Sequence, residues 1–220
     1  MLLAELREQV LYYSIKMTQE NLARARQGNV SALDRATGLI AVTPSAAEYA
    51  SMTAADIVVI DQDGNIVEGS WLPTSEYPMH TLFYRRRPDV GAVMHCHPPF
   101  TSIFATTYET IPLVLAETAS GVGHAIKVAL YESPGTAELG ETCLNTMGNG
   151  TAVVMGGHGL LVVGPDLPSA YSSAVSVEDN AFIVVHSRSM GAQPRVISDE
   201  EATVLHAKWL AKYRRTAYST

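Results

Sequence analysis

The apolar positions of this chain change period several times, and each change marks an element. Over residues 3–26, Leu3, Leu6, Val10, Leu11 and Tyr13 recur between charges at amphipathic-helix spacing, ending near Gly28. Residues 29–34, 39–43 and 57–61 are short β-rich runs set apart by Gly, Pro and Asp. Asp63-Gly64-Asn65 stands between 57–61 and 66–68, as a tight hairpin connection does. Residues 75–87 read as a helix closed by Pro88, residues 90–97 as a strand, and Pro98-Pro99 as the opening of a helix over 100–108. Residues 111–115 are strand-like, 136–147 helical, and 151–163 a long β run interrupted by Gly156-Gly157. Two closing helices follow, 168–190 and 198–213, joined by a loop containing Pro194. With no repeat, low-complexity stretch or linker, the expectation is a single α/β domain over residues 1–220 with a hairpin-built, mixed or antiparallel central sheet. No G-x-G-x-x-G follows a strand, which argues against a Rossmann fold.

Composition narrows the class. Of 220 residues, 47% are hydrophobic and 17% charged, enough to bury a core and too apolar for a disordered chain. Fifteen basic against 22 acidic residues give −7, which argues against nucleic acid and anionic membranes as partners. Glu5, Arg7 and Glu8 interrupt the apolar N-terminus, so it reads neither as a signal peptide nor as a membrane span. Cys96 and Cys143 form no C-x-x-C pair, leaving neither a disulfide framework nor a cysteine zinc site. A soluble, cytoplasmic protein is expected. The seven histidines are then what stands out, because histidine is the commonest metal ligand and a proton carrier near neutral pH.

Three short segments carry candidate chemistry. In His95-Cys96-His97-Pro98, strand alternation sends both imidazoles to one face and Cys96 to the other. Alone, this is equally half of a metal site or a pair of ordinary strand histidines. Cys96 reads as a small buried apolar residue rather than a ligand. His158 sits in Gly156-Gly157-His158-Gly159, where glycines let the backbone approach something closely, or simply turn. Thr74-Ser75-Glu76 stands at a predicted helix start, where a cap and a first-turn carboxylate are ordinary; exposed N–H groups and hydroxyls there equally suit an anion, with Glu76 as a base beside it. Gly28-Asn29-Val30-Ser31 and Thr43-Pro44-Ser45 are two further small polar turns.

Taken in order, G-N-V-S, T-P-S, T-S-E, H-C-H-P and G-H-G-L resemble the class II aldolase/adducin family, over residues 6–188. The resemblance implies a three-layer α/β/α fold with a mostly antiparallel sheet, and a homotetramer with active sites between subunits. It also implies that His95, His97 and His158 hold one zinc, with Mn2+ or Co2+ as substitutes. Asn29, Thr43, Ser45, Thr74 and Ser75 would surround a substrate phosphate, and Glu76 would be the acid/base residue. The implied activity is a zinc-dependent aldolase: a phosphorylated ketose, of the L-fuculose 1-phosphate or 5-deoxypentulose 1-phosphate kind, gives dihydroxyacetone phosphate and an aldehyde. A metal on both oxygens stabilises the enediolate that such cleavage leaves. No Schiff-base lysine is needed, and only Lys16, Lys127, Lys208 and Lys212 exist.

The chain also departs from the family pattern. Fuculose-phosphate-type members carry two consecutive histidines where Gly157-His158 stands, and T-G where Thr43-Pro44 stands. Pro44 removes a backbone N–H from that loop and points to Ser45 as donor. A tyrosine expected after an I-P pair is absent after Ile111-Pro112, leaving Tyr108, Tyr131, Tyr213 and Tyr218 as replacements. Sugar-acid phosphate decarboxylases share the glutamate and the T-P-S turn, whereas pentulose-phosphate 4-epimerases carry aspartate at Glu76. The adducin-like heads lack the metal ligands. Of the other histidines, His80 reads as a solvated helix position that could support Glu76, His186 and His206 as structural, and His124 as ambiguous.

Overall fold

The computed structural model describes the backbone of residues 1–217 and the side chains of residues 1–212. Eight strands build one sheet: β1 (Asn29–Leu33), β2 (Ile40–Val42), β3 (Val58–Ile60), β4 (Ile66–Glu68), β5 (Ala92–Cys96), β6 (Val128–Ala129), β7 (Ala152–Met155) and β8 (Gly159–Gly164). Their spatial order is β4-β3-β2-β1-β5-β8-β7-β6, antiparallel throughout except for the parallel β6–β7 pair. Two tight hairpins, β3–β4 and β7–β8, stand in it on either side of the central strands. Asp61 closes β3–β4 by accepting the N–H groups of Asp63 and Asn65, with Gly64 at φ +90°. The run over 151–163 is the β7–β8 hairpin, with Gly157 at φ +62° in its turn.

Alternate strand residues feed two apolar cores, one on each face. Ala92, Met94, Cys96, Leu160 and Val162 enter one core; Val93, Leu161 and Val163 enter the other. The first packs against α1 (Ala4–Gln19), α3 (Pro99–Thr107), α4 (Ala116–Val122), α6 (Leu167–Ser189) and α7 (Asp199–Ala217). The second packs against α2 (Tyr77–Arg86) and α5 (Ala137–Met147). Each fully buried Val, Leu or Ile contributes about 1.5–3 kcal/mol of transfer free energy before ordering costs. Among the described residues no helix is long and apolar enough to cross a membrane.

Two expectations change, and two elements appear that no expectation named. The first helix stops at Gln19 rather than near residue 26, because Asn21 and Ala25 adopt left-handed φ of 58° and 52°. Residues 111–115 form no strand. Only Ile111 bridges to Ile126, while the Asn180 side chain of α6 accepts from Val114 and Leu115 N–H and donates to the Pro112 carbonyl. One buried amide thus satisfies backbone that a strand neighbour would otherwise pair. Finally, α4 and β6 carry no readable periodicity, being seven and two residues long.

Candidate active site and metal centre

The β1–β5 register places Asn29 opposite His95, and the β5–β8 register places Cys96 opposite Leu160. His95 lies on the face of β5 opposite to that of Cys96, and His97 lies just beyond the strand, held by its N–H to the Leu22 carbonyl at 2.8 Å. The Nε2 atoms of His95 and His97 are 2.8 Å apart. His158 arrives from the β7–β8 turn, its ring centroid 4.6 Å from that of His95 and 5.1 Å from that of His97. Glycine is needed on the approach. A Cβ on Gly28, itself at φ +76°, would stand 2.7 Å from the His95 carbonyl oxygen.

Glu76 closes the cluster. It stands immediately before α2 and makes no side-chain cap; its carboxylate turns inward instead. Oε2 lies 3.4 Å from His95 Nε2, and Oε1 lies 3.4 Å from His158 Nε2. Burial pushes the Glu76 carboxyl up, but His95, the Asn29 hydrogen bond, His158 and His80 together outweigh it and hold the group below its ordinary value. Burial drives His95 down to about 4 and also lowers His97. Both imidazoles are therefore neutral at physiological pH, the form that ligates metals.

The donor set fits a divalent cation. One nitrogen from each of His95, His97 and His158 lies within 4.8 Å of the others. His95 Nδ1 is 2.9 Å from the Leu160 carbonyl and must donate to it, which leaves the Nε2 lone pair facing the cluster. Three imidazoles with a carboxylate beside them are a donor set for zinc or a neighbouring transition metal.

The residues expected around a phosphate divide into two groups. Thr43 is fully buried: its Oγ1 accepts from Val30 N–H at 3.1 Å, and its carbonyl accepts from Thr74 N–H at 3.0 Å. Thr74 Oγ1 accepts from Glu76 N–H, and Asn29 Nδ2 donates to Glu76 Oε2 at 2.9 Å. These three side chains are buried and each already holds a partner within the protein. Ser75, by contrast, is exposed and Ser45 half-buried. The N–H of Ser45 goes to the Leu72 carbonyl, so its hydroxyl, not its backbone, is what it can offer a ligand.

His80 is not a solvated helix residue. It is fully buried, with Nε2 2.6 Å from Asn29 Oδ1 and Nδ1 2.7 Å from Ser31 Oγ. Burial lowers it to about 3 against the opposing pull of Glu76. Tyr84 OH continues the line, 2.6 Å from Ser31 Oγ. The sequence does carry a signal for it, in Glu76, His80 and Tyr84 at successive four-residue steps. His124 is anchored by Nδ1 to the Ala125 carbonyl, His206 to the Ser120 carbonyl, and His186 to the Phe182 carbonyl. Tyr108 packs over Gly156 and Tyr131 beside Gly157, next to the turn that carries His158. The Tyr213 side chain and Tyr218 lie outside the described residues. Cys96 and Cys143 are free, buried thiols, both pushed up by burial.

Three converging histidines at the strand ends of a mostly antiparallel sheet, with a glutamate beside them, define a protein that can set a metal ion next to a buried carboxylate. The family model for the class II aldolase and adducin N-terminal domain matches residues 8–185, and the chain belongs to that family. It is 32% identical over 209 residues to the 5-deoxy-D-ribulose 1-phosphate aldolase of Bacillus thuringiensis serovar kurstaki, covering 95% of this chain and 97% of that one. An L-fuculose 1-phosphate aldolase structure superposes with a TM-score of 0.89 at 32% identity, over 94% of this chain and 96% of that chain. The L-fuculose-1-phosphate aldolase of Thermus thermophilus shares the fold, with a TM-score of 0.76 at 23% identity, over 88% of this chain and 100% of that chain. The chain is thus an enzyme of the class II aldolase type, a carbon–carbon lyase.

Proposed function

We propose that this protein is a zinc-dependent aldolase that reversibly cleaves a phosphorylated ketose into dihydroxyacetone phosphate and an aldehyde. The ketose is of the 5-deoxypentulose 1-phosphate or L-fuculose 1-phosphate kind, a substrate class taken from the names of the relatives above. The observation that carries the reading is the position of Glu76: a buried carboxylate 3.4 Å from two of three imidazoles that can share a metal. His95, His97 and His158 hold the cation. When bound, it supplies Lewis-acid stabilisation of negative charge on the oxygens beside the breaking bond.

Glu76 moves the proton. In the condensation direction it takes one from the hydroxymethyl carbon of dihydroxyacetone phosphate, and in cleavage it returns one. The hydroxyls of Ser45 and Ser75 receive the phosphate, while Asn29, Thr43 and Thr74 shape the wall behind it. With a net charge of −7, attraction for an anionic substrate is local: one cation and the hydroxyls of Ser45 and Ser75. The same reading includes a single domain over residues 1–220, cytoplasmic, in a three-layer α/β/α arrangement; a core on each sheet face supports the layering. It also includes a homotetramer with active sites between subunits, for which exposed Ile103, Phe182 and Ile183 on α3 and α6 offer apolar surface.

The test is product analysis with zinc-loaded protein on 5-deoxyribulose 1-phosphate, fuculose 1-phosphate and phosphorylated sugar acids. Dihydroxyacetone phosphate is the expected product. Release of carbon dioxide from the acids, or epimerisation without cleavage, overturns the proposal.

A further inference from the structure

Behind Glu76 runs a line of buried polar side chains with a single allowed direction. The carboxylate of Glu76 can only accept, so Asn29 must present Nδ2 to Oε2, at 2.9 Å. That turns Asn29 Oδ1 toward His80 Nε2, 2.6 Å away, and Oδ1 can only accept. His80 must therefore carry its hydrogen on Nε2. Its Nδ1, being bare, accepts from Ser31 Oγ at 2.7 Å. Ser31 has then given its hydrogen away and takes one from Tyr84 OH at 2.6 Å. None of the five residues is more than 6% exposed, so water does not replace a lost member.

We propose that His80 is a positioning residue: backed by Ser31 and Tyr84, it locks the Asn29 amide in the one orientation that holds the Glu76 carboxylate against the metal site. The proposal rests on the reading of Glu76 as the acid/base group. Without the His80 N–H, Asn29 Oδ1 is a buried acceptor with no donor, and the bond to Glu76 alone is left to fix the amide. A flipped amide would set Oδ1 against the carboxylate, so the amide shifts instead, and its charge-assisted bond to Oε2 loosens. Glu76 then swings, while the histidines, held by β5 and the β7–β8 turn, stay in place. Oε2 is committed to Asn29, which leaves Oε1 on the His158 side to exchange the proton.

The test compares wild-type protein with His80→Phe, His80→Gln and Ser31→Ala, all zinc-loaded. Solvent hydrogen exchange into dihydroxyacetone phosphate and bound zinc are the two readouts. His80→Phe is expected to lower the maximal exchange rate roughly 10- to 100-fold, the usual effect of losing a partner that orients a site residue. Half-saturation by dihydroxyacetone phosphate and zinc content stay unchanged. His80→Gln, which keeps an amide donor and acceptor, recovers part of the rate, and Ser31→Ala falls between. An unchanged rate, a loss that follows zinc content, or a change confined to half-saturation overturns the proposal. Nitrogen NMR of the imidazole in wild-type protein is a second measurement, independent of turnover and of whether any variant folds. A hydrogen on Nε2 with Nδ1 bare is expected, and the opposite tautomer or a charged ring overturns it. If wild-type protein exchanges no proton at all, the proposed function is what fails, and the tautomer still decides the line behind Glu76.

Discussion

Gly159 lies directly against His95. A methyl group on its α-carbon would stand 2.5 Å from the Cys96 carbonyl oxygen and 3.1 Å from His95 Cε1. The glycine that opens β8 thus lets two strands close tightly enough for the Leu160 carbonyl to accept from His95 Nδ1. Gly159→Ala must push β8 away from β5 or displace the imidazole, since one obstacle is backbone and the other a ring in the cluster. Zinc affinity is expected to fall roughly tenfold or more, as it does when a ligand loses its orienting partner. Competition with a chromogenic chelator measures it, and an unchanged affinity would show that the contact relaxes without moving His95.

The two groups of polar side chains near Glu76 predict two kinds of damage. Ser45→Ala and Ser75→Ala remove hydroxyls from accessible positions, so each is expected to raise KM for the phosphorylated substrate several-fold with a smaller effect on kcat. Thr43→Val removes an acceptor that the buried Val30 N–H uses. It is expected to cost about 1–3 kcal/mol of folding stability, the penalty of an unsatisfied buried donor. Steady-state kinetics and urea unfolding on all three variants separate the outcomes. A Thr43→Val protein of full stability with a raised KM would place Thr43 on the ligand instead.

Burial of neutral His80 links stability to pH with a definite sign. In the unfolded chain the ring takes up a proton near its ordinary 6.5, whereas in the folded protein it resists until about 3. Between those values the unfolded state binds more protons, so stability is lost as the pH falls through that window and is regained as it rises. One such group contributes a slope of about 1.4 kcal/mol per pH unit inside it. Metal-free wild-type protein is expected to show at least this slope between about pH 6 and about pH 5 in urea unfolding, with His95 adding to it. His80→Phe, whatever its absolute stability, is expected to have a slope shallower by about one proton. Identical slopes would mean that His80 is accessible to protons in the folded state.

Much of this site is legible in the sequence, for reasons of period. Strand alternation puts His95 and His97 on one face, and it equally puts Asn29 and Ser31 on one face of β1. Helical period puts Glu76, His80 and Tyr84 on one face of α2. What neither period contains is that these last two faces meet. The hydrogen bonds of His80 to Asn29 and Ser31 join them, a long-range fact that no local spacing encodes. His80 reads as solvated for this reason, since an isolated helix gives no sign of what covers it. Residues 111–115 read as a strand because the partner satisfying their backbone is a side chain, Asn180, nearly seventy positions away.

Removal of the metal separates its role in folding from its role in catalysis. Two apolar cores, one on each side of the sheet, hold the fold without reference to the histidines, so the chelated protein is expected to remain folded. This is unlike small zinc domains, where binding energy is folding energy. Zinc still binds the native state preferentially. At about 100 times its dissociation constant it adds about 2.7 kcal/mol, roughly 5–10 °C in Tm for a chain of this size. His97→Ala is the informative control. It removes one of three imidazoles but leaves His95, with its bond to Leu160, and Glu76 in place. Its Tm with and without zinc is expected to coincide, whereas wild-type protein shows the full increment. Calorimetry on both proteins, chelated and reloaded, decides the matter: an equal increment in the two would remove His97 from the metal site.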